Sequence, residues 1–356
     1  MSDLLAESAE RLFGEHCTDA VLAQSDGAAS DGGSFPLGLW EAVSAAGFTA
    51  ALLPEAAGGF GASVAEGLGL LRVSARHAAP IPLAETMLGG WLLAGAGLAV
   101  PEGVLSVAPV RKGDRLGAVR ERTGRGGAGW RVTGRAERVP WGRDAAFVVV
   151  LAKGPEGWLV GAVPASGFAV MGRDLNLAGE PRDTVAIDAV IGMGRSLVDG
   201  PGLRAAGAAV RTVQIAGALS RALEISVAYA QTRVQFGRAI GTFQAIQHNL
   251  AVLAGQSAAA IAAADMAVEA VGSGLGVLAL GAAKARAGEA AGVAAGLAHQ
   301  AHGAIGFTRE YRLHRVTRRL WAWREEFGNE AEWNAVVGGI VLAAGADGVW
   351  PALTPP

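Results

Sequence analysis

The chain has 356 residues and a formal net charge of −2, with 51% hydrophobic and only 17% charged residues. This length exceeds what one small core needs, so we expect two or three subdomains. The near-neutral charge provides no basic field, which argues against a nucleic-acid-binding protein. The single cysteine, Cys17, cannot form an intrachain disulfide or a zinc site built on thiolates.

The apolar composition reflects 53 glycines and many alanines, small residues that let helices pack closely. The sequence has no run of about 20 strongly apolar residues free of charge, since even the stretch 277–297 contains Lys284, Arg286 and Glu289. The amino terminus lacks the basic start and apolar run of a signal peptide. We therefore expect a cytoplasmic enzyme or enzyme subunit without a membrane partner.

The first hundred residues have the pattern of helices joined by short turns, with apolar residues at helical intervals from Leu5 to Phe13. Further helices are predicted after Pro36 and over about 64–78. The glycine-rich segment 48–61 lies between them, and its Gly-Gly-x-Gly sequence is first of all typical of a turn. The amino-terminal part is therefore predicted to be helical.

Short β-rich runs replace the helical pattern between Val104 and Val190, separated by Gly, Pro and charged residues. This arrangement predicts an antiparallel sheet or barrel in the middle of the chain. Long helical patterns return at about Gly202. Helices are predicted over about 203–227, 243–271, 275–302 and 315–323, and after Asn329.

The segment that begins at Arg233 is the most informative about function. Near the end of a long helix, a guanidinium can form two parallel charge-assisted hydrogen bonds with a diphosphate. Gln235 adds uncharged donors, Phe236 an apolar face, and Gly237 allows the chain to turn close to a ligand. A helix end with a solvated arginine and a glycine cap would have the same sequence pattern. A cofactor site is favoured by the Phe-Gln-Ala-Ile-Gln that follows, which contains Gln244.

This pattern resembles that of the FAD-dependent acyl-CoA dehydrogenase family. Segment 53–61 resembles the family's Pro-Glu-x-x-Gly-Gly-x-Gly, segment 300–311 its Gln-x-x-Gly-Gly-x-Gly, and segment 315–319 the helix before its carboxy-terminal active-site loop. The match covers about the whole chain. It implies a mainly α, multidomain α+β fold: an N-terminal helical domain (1–103), a middle antiparallel β-barrel (104–192) and a C-terminal four-helix bundle (193–356).

The resemblance also implies that FAD lies across a subunit boundary. The arginine segment described above would hold the cofactor from one subunit. Gln300, Gly303 and Ala304 would hold its adenosine end from the neighbouring subunit, with Ala304 replacing a glycine. An acyl-CoA substrate and an electron-transfer flavoprotein as electron acceptor are implied as partners.

The side of the site that faces the flavin ring departs from the family. Its Thr-Glu-Pro and Gly-Ser-Asp segment falls on residues 106–114, where only Pro109 and Asp114 match. Its Trp-Ile-Thr falls on residues 138–140, with Trp141 displaced. Trp141 either covers a flavin ring or is a tryptophan of the barrel core.

The catalytic base is also missing from its expected positions. Removing the α-proton of an acyl-CoA requires a carboxylate held dry beside the flavin. The family's usual glutamate position holds Phe327, and the alternative position, early in a long helix, holds Gly207. Glu326 is one residue away, but helix geometry turns it by about 100°. We expect Glu325 and Glu326 to form a solvated face that pairs with nearby arginines.

Intact cofactor segments, an altered flavin side and a missing glutamate favour one interpretation. The chain resembles the short, base-lacking subunit of heteromeric acyl-CoA dehydrogenases, which act on bulky, steroid-type acyl chains. It would complete the cofactor site of a glutamate-bearing partner. The alternatives are a self-sufficient homotetramer with a displaced base, a non-catalytic structural subunit, and an oxidase or monooxygenase of the same fold.

Overall fold

The computed structural model describes residues 3–25, 33–122, 128–155, 157–192, 194–197, 202–274 and 276–353. These residues form two compact units. One unit contains Glu15–Gly67 and Pro80–Ala206, and the other contains Asp3–Gly14, Leu68–Ala79 and Gly207–Pro356. The three sequence-derived domain boundaries stay a prediction.

The helices predicted individually are present in the predicted order, with ends shifted by a few residues. Two more, Asp19–Ser25 and Leu83–Gly95, lie in the amino-terminal part that was predicted to be helical without individual bounds. In the described part of the chain three helices begin with side-chain caps. Ser63 and Glu66 satisfy each other's backbone N–H at the start of the helix that begins at Val64, and the side chains of Thr18 and Asn329 accept hydrogen bonds from the N–H groups of Val21 and Glu332. The helices are α1 (Asp3–His16), α2 (Asp19–Ser25), α3 (Leu37–Ala45), α4 (Val64–Arg76), α5 (Leu83–Gly95), α6 (Gly202–Thr232), α7 (Gln244–Gly272), α8 (Val277–His302), α9 (Leu313–Glu325) and α10 (Glu330–Leu353).

Seven of the described strands lie in the predicted β-rich region, whereas the strand Gly194–Leu197 and a short hairpin after α6 lie outside it. They are β1 (Leu105–Ala108), β2 (Arg115–Arg122), β3 (Ala128–Pro140), β4 (Phe147–Gly154), β5 (Gly157–Pro164), β6 (Phe168–Gly172), β7 (Arg182–Ile191), β8 (Gly194–Leu197), β9 (Val234–Gln235) and β10 (Arg238–Ala239).

The large sheet has the strand order β6-β7-β3-β2-β4-β5-β8, and β1 pairs with β4. Its pairings are antiparallel except β1–β4 and β2–β4, which are parallel. In the described part of the chain the terminal strands β6 and β8 do not pair with each other. The predicted antiparallel barrel is therefore a curled, mostly antiparallel half-barrel around an apolar core that includes Trp130, Val148 and Val185.

The second unit is built around α8, which contacts α7, α9 and α10. Its buried face consists largely of alanines and glycines, and these small side chains let the neighbouring helices approach closely. Arg76 of α4 pairs with Glu10 of α1 at 3.1 Å and with Glu224 of α6 at 2.7 Å. The bundle thus also includes α1 and the part of α4 from Leu68 onward.

Helices α7 and α10 are long and apolar enough, by length and composition alone, to cross a bilayer. Core helices of globular proteins meet the same criterion. On α10 Trp333 is buried, whereas Leu342 and Trp350 are exposed, at 85% and 71%. This helix has an apolar surface that its own unit leaves uncovered.

Candidate functional site

A tight hairpin follows α6 and presents the arginine segment. Strands β9 and β10 pair, and Phe236 and Gly237 form the two-residue loop between them. Both loop residues have positive φ, 51° and 79°, the conformation that a type I′ turn requires. Phe236 is a phenylalanine in a left-handed conformation with 91% of its surface exposed. The hairpin therefore projects an aromatic ring away from its own unit.

The predicted cofactor-binding side chains of this segment face solvent. Arg233, Gln235, Phe236, Gly237 and Gln244 are all exposed. Among the described residues no carboxylate pairs with Arg233. A Cβ built at Gly237 would meet nothing within 4 Å. The segment thus has a free cation and open space beside its backbone.

A second exposed segment begins at the end of α8. Gln300 is exposed on the last turn of the helix, and a 3-10 turn follows over Gly303–Phe307. Gly303 has φ 65° and ψ −145°, a backbone conformation essentially restricted to glycine. A Cβ there would also meet nothing within 4 Å, and the neighbouring Ala304 is exposed.

An aromatic cluster joins these two segments within the same chain. The ring of Tyr229, one helical turn before Arg233, stacks on His302 with the ring centroids 4.4 Å apart. Tyr311 contacts both rings, and its hydroxyl lies 3.3 Å from Nε2 of His302. Burial lowers the pKa of His302 and raises the pKa of Tyr311. The arginine segment and the Gly303 segment are therefore neighbours on one surface.

These residues fit an extended dinucleotide such as FAD. Arg233 offers a fork of donors for a diphosphate, and the glycines at 237 and 303 leave backbone that a ligand can approach. Phe236 offers an exposed aromatic face for stacking. The sequence did not point to Tyr229; its only signal is the i, i+4 spacing from Arg233.

The two candidate positions for a catalytic glutamate lie against each other. Phe327 is buried, with 2% of its surface exposed, in a left-handed conformation with φ 55°. A Cβ built at Gly207 would lie 2.2 Å from Cδ1 of the Phe327 ring. Neither position has a carboxylate, and the phenylalanine ring fills the space beside the glycine.

Glu326 is not a solvated residue, so this expectation was wrong. It is 6% exposed and forms an ion pair with Arg211 of α6, which is 1% exposed, with an Nε–Oε2 distance of 2.8 Å. The turn between α9 and α10 directs this side chain inward. Glu325 is exposed, as expected, and pairs with Arg324 at 3.5 Å.

Two further side chains, those of Lys284 and Trp333, hold the turn that carries Phe327 through three hydrogen bonds. The buried ammonium of Lys284 donates to the carbonyl oxygens of Arg324 at 2.6 Å and Gly328 at 2.8 Å. Burial lowers the pKa of Lys284 to about 8. The indole N–H of Trp333 donates to the carbonyl oxygen of Phe327 at 3.0 Å. No local sequence pattern identified Lys284, because its partners are backbone carbonyls far along the chain.

The residues that the resemblance would place beside the flavin ring lie in the unit that contains the sheet. They are Pro109, Asp114 and Trp141. Trp141 is buried and packs edge-to-face on Phe35, with ring centroids 6.0 Å apart. The Asp114 carboxylate accepts a hydrogen bond from the N–H of Glu137 at 3.1 Å. Pro109 follows β1 directly. These contacts give Trp141 and Asp114 structural partners within the unit.

The glycines of segment 53–61 have a conformational explanation. Gly58 and Gly61 have φ of 91° and 75°. A Cβ at Gly59 would lie 1.8 Å from the carbonyl oxygen of Leu53. The turn itself therefore requires glycine there.

The sequence is similar to those of known acyl-CoA dehydrogenases. Residues 205–331 match the family model described as acyl-CoA dehydrogenase, C-terminal domain. Acyl-CoA dehydrogenase IpdE2 of Mycobacterium tuberculosis is 29% identical over 321 residues, covering 89% of each chain. Acyl-CoA dehydrogenase FadE27 of the same organism is 31% identical, over 60% of this chain and 61% of its own.

The same fold is found in solved structures. The "Tcur3481-Tcur3483 steroid ACAD G363A variant" superimposes with a TM-score of 0.85 at 28% identity, over 96% of this chain and 98% of that one. Butyryl-CoA dehydrogenase from Megasphaera elsdenii superimposes with a TM-score of 0.78 at 19% identity, over 96% and 99%. Residues 205–331 thus match an acyl-CoA dehydrogenase C-terminal domain, and most of the chain is similar in sequence and fold to acyl-CoA dehydrogenases.

Proposed function

We propose that this chain is an FAD-binding, base-lacking subunit of an acyl-CoA dehydrogenase that works with a glutamate-bearing homologous subunit. The contact between Phe327 and Gly207 carries this proposal. Positions 207 and 327, where the resemblance would place the base, both lack a carboxylate. The Phe327 ring fills the space next to Gly207. The carboxylate next to Phe327 in the sequence, that of Glu326, is already paired with buried Arg211.

The residues of this chain would act by binding the cofactor. Bound FAD would supply the oxidant for α,β-desaturation. Arg233 would neutralise the diphosphate through charge-assisted hydrogen bonds, and Gln235 and Gln300 would add uncharged contacts. Phe236 would stack against the ligand, and the open backbone at Gly303 would admit its adenosine end. The proton acceptor would come from the partner subunit.

The stacking of Tyr229 on His302 bears on whether the Arg233 and Gly303 segments bind the same FAD molecule. Tyr229 and His302 stack directly, so the segments that follow them are neighbours in one chain. We propose that both segments hold the same FAD molecule, rather than each serving a different one as the family resemblance first suggested. The flavin end would then extend into the glutamate-bearing subunit.

The partner and the substrate class follow from two further considerations. The exposed apolar surface of α10 suits burial against a homologous subunit. The similarity to a steroid acyl-CoA dehydrogenase supports a bulky, steroid-type acyl-CoA substrate. An electron-transfer flavoprotein is the proposed electron acceptor, and a cytoplasmic location without membrane contact stays a prediction.

Co-expression with a glutamate-bearing homologue, followed by native mass spectrometry, tests the proposal. We expect a mixed oligomer with fewer FAD molecules than subunits. The same measurement on the chain expressed alone is the control. A homo-oligomer with one FAD per subunit and full turnover would contradict the proposal and support a self-sufficient dehydrogenase.

A further inference from the structure

A buried histidine lies beneath the segment assigned to the adenosine end of FAD. His299, on the last turn of α8, is 5% exposed. Its ring stacks on Phe307 at 4.0 Å and on Trp321 of α9 at 5.5 Å. Phe307 ends the 3-10 turn and is itself 66% exposed. His299 thus connects the Gly303–Phe307 turn to α9 through a stack of three rings.

The hydrogen bonds of His299 fit a neutral ring that carries its proton on Nε2. Nε2 lies 2.8 Å from Oγ1 of Thr317. The Thr317 hydroxyl donates to the carbonyl oxygen of Leu313 at 3.3 Å, so this oxygen accepts from Nε2–H of the imidazole. Nδ1 then carries the lone pair of a neutral ring. Nδ1 is buried and has no hydrogen-bond partner among the described residues.

The unpartnered nitrogen is close to the cofactor segment. A Cβ built at Gly306 would lie 3.1 Å from Nδ1 and 3.2 Å from Cδ2 of Leu313. A second proton on the ring would place an N–H donor and a positive charge against this glycine and leucine. A buried charge without an acceptor is costly, so the packed turn requires the neutral ring.

The surrounding groups also disfavour a positive charge. Burial lowers the pKa of His299 below 6.5, and His302 on its own helix and His314 on α9 lower it further. The 3-10 turn contributes the uncharged Gly306 and Phe307. Since the unfolded ring takes up a proton more readily, the stabilisation is complete above about pH 6.5 and is lost as pH falls through the pKa of the folded protein.

We propose that neutral His299 is a positioning residue that holds the Gly303–Phe307 turn in its FAD-binding conformation, and that its protonation in mild acid weakens FAD binding. This inference rests on the proposed role of the turn in holding FAD. His299 does not touch the reacting atoms; it acts through the turn. The consequence is a cofactor site that releases FAD on acidification.

Two variants of the co-expressed complex distinguish the effect of ring stacking at position 299 from the effect of protonating His299. His299→Phe keeps an aromatic ring against Phe307 and Trp321 but cannot be protonated. His299→Ala removes the ring. His16→Phe, in the other unit, is the matched control. FAD affinity is measured by flavin fluorescence at pH 8 and pH 5.5, and histidine protonation by NMR.

The wild type and His16→Phe should lose more FAD affinity between these pH values than His299→Phe does, by a factor of at most about 10, because the lowered pKa of His299 limits its protonation at pH 5.5. His299→Ala should bind FAD about 10-fold more weakly than wild type at pH 8 (about 1.4 kcal/mol). Equal pH dependence in wild type and His299→Phe would overturn the inference, even if His299→Ala fails to fold. Arg233→Ala provides the separate check: unchanged FAD affinity in that variant would refute the proposed cofactor site itself.

Discussion

The ring of Phe327 occupies the space where a side chain at Gly207 would lie, with a built Cβ 2.2 Å from the nearest ring carbon. Gly207 lies in the second turn of α6 and Phe327 lies in the turn between α9 and α10. The resemblance to acyl-CoA dehydrogenases predicts a base at one or the other of these positions. A larger residue at one position is therefore compatible only with a small residue at the other. The turn around Phe327 cannot easily move, because Lys284 and Trp333 tether its carbonyl groups.

Gly207→Ala should destabilise the protein because the methyl group would overlap the tethered ring. Overpacking of this kind costs about 1–3 kcal/mol. Gly255→Ala on α7, where a Cβ meets nothing within 4 Å, is the matched control and should be neutral or stabilising by up to about 1 kcal/mol. Urea unfolding measures both, and equal tolerance of the two changes would contradict the packing described for Phe327.

Arg233→Ala should weaken FAD binding about 10- to 100-fold, because a charge-assisted hydrogen bond contributes about 1.5–3 kcal/mol. Arg238→Ala removes the same charge from the same hairpin. Arg238 lies over the Phe243 ring at 4.2 Å, and we expect a loss below about 3-fold. FAD retention after dialysis distinguishes them; similar losses would indicate a general charge effect instead of a specific diphosphate contact.

Glu326→Gln should destabilise the fold without changing turnover of the complex. Removing one partner of a buried ion pair costs about 3 kcal/mol or more, and Arg211 would lose its carboxylate. Glu325→Gln is the control, since an exposed ion pair contributes at most about 1 kcal/mol. Thermal unfolding and steady-state kinetics are measured together. A large loss of turnover with intact stability would identify Glu326 as a base.

The buried ammonium of Lys284 predicts a pH dependence of stability. Its pKa is lowered from 10.5 to about 8, chiefly by burial. Between these values the unfolded chain binds more protons, so stability should rise with pH, by at most about 3 kcal/mol. Lys284→Met should lack this rise, whereas Lys112→Met, at an exposed position, should retain it. Identical stability profiles for wild type and Lys284→Met would rule out the effect.

The chain purified alone should have little dehydrogenase activity. A positioned general base contributes about 10² to 10⁴ in rate, and neither base position of this chain has a carboxylate. We expect turnover at least about 100-fold below that of the co-expressed complex. The assay uses a steroid-type acyl-CoA with an artificial electron acceptor. Comparable turnover by the chain alone would show that a base has been missed.

Much of the fold could be predicted because local patterns determine it. Apolar residues at helical spacing indicated the helices, and β-rich runs bounded by Gly and Pro indicated the strands. The short hairpin after α6 was not predicted as strands, because two-residue strands are too short to show a periodicity. Its glycine, Gly237, was nevertheless identified as a turning point.

The sequence by itself determined the order of helical and β-rich parts. It also predicted cofactor segments at Arg233 and Gln300 and placed no glutamate at the two expected base positions. Each depends on residue types at short spacing. Only the tertiary structure brought Phe327 against Gly207, turned Glu326 inward to Arg211, and stacked Tyr229 on His302. These contacts join residues far apart in the chain, and they depend on how the helices pack, which no local pattern encodes.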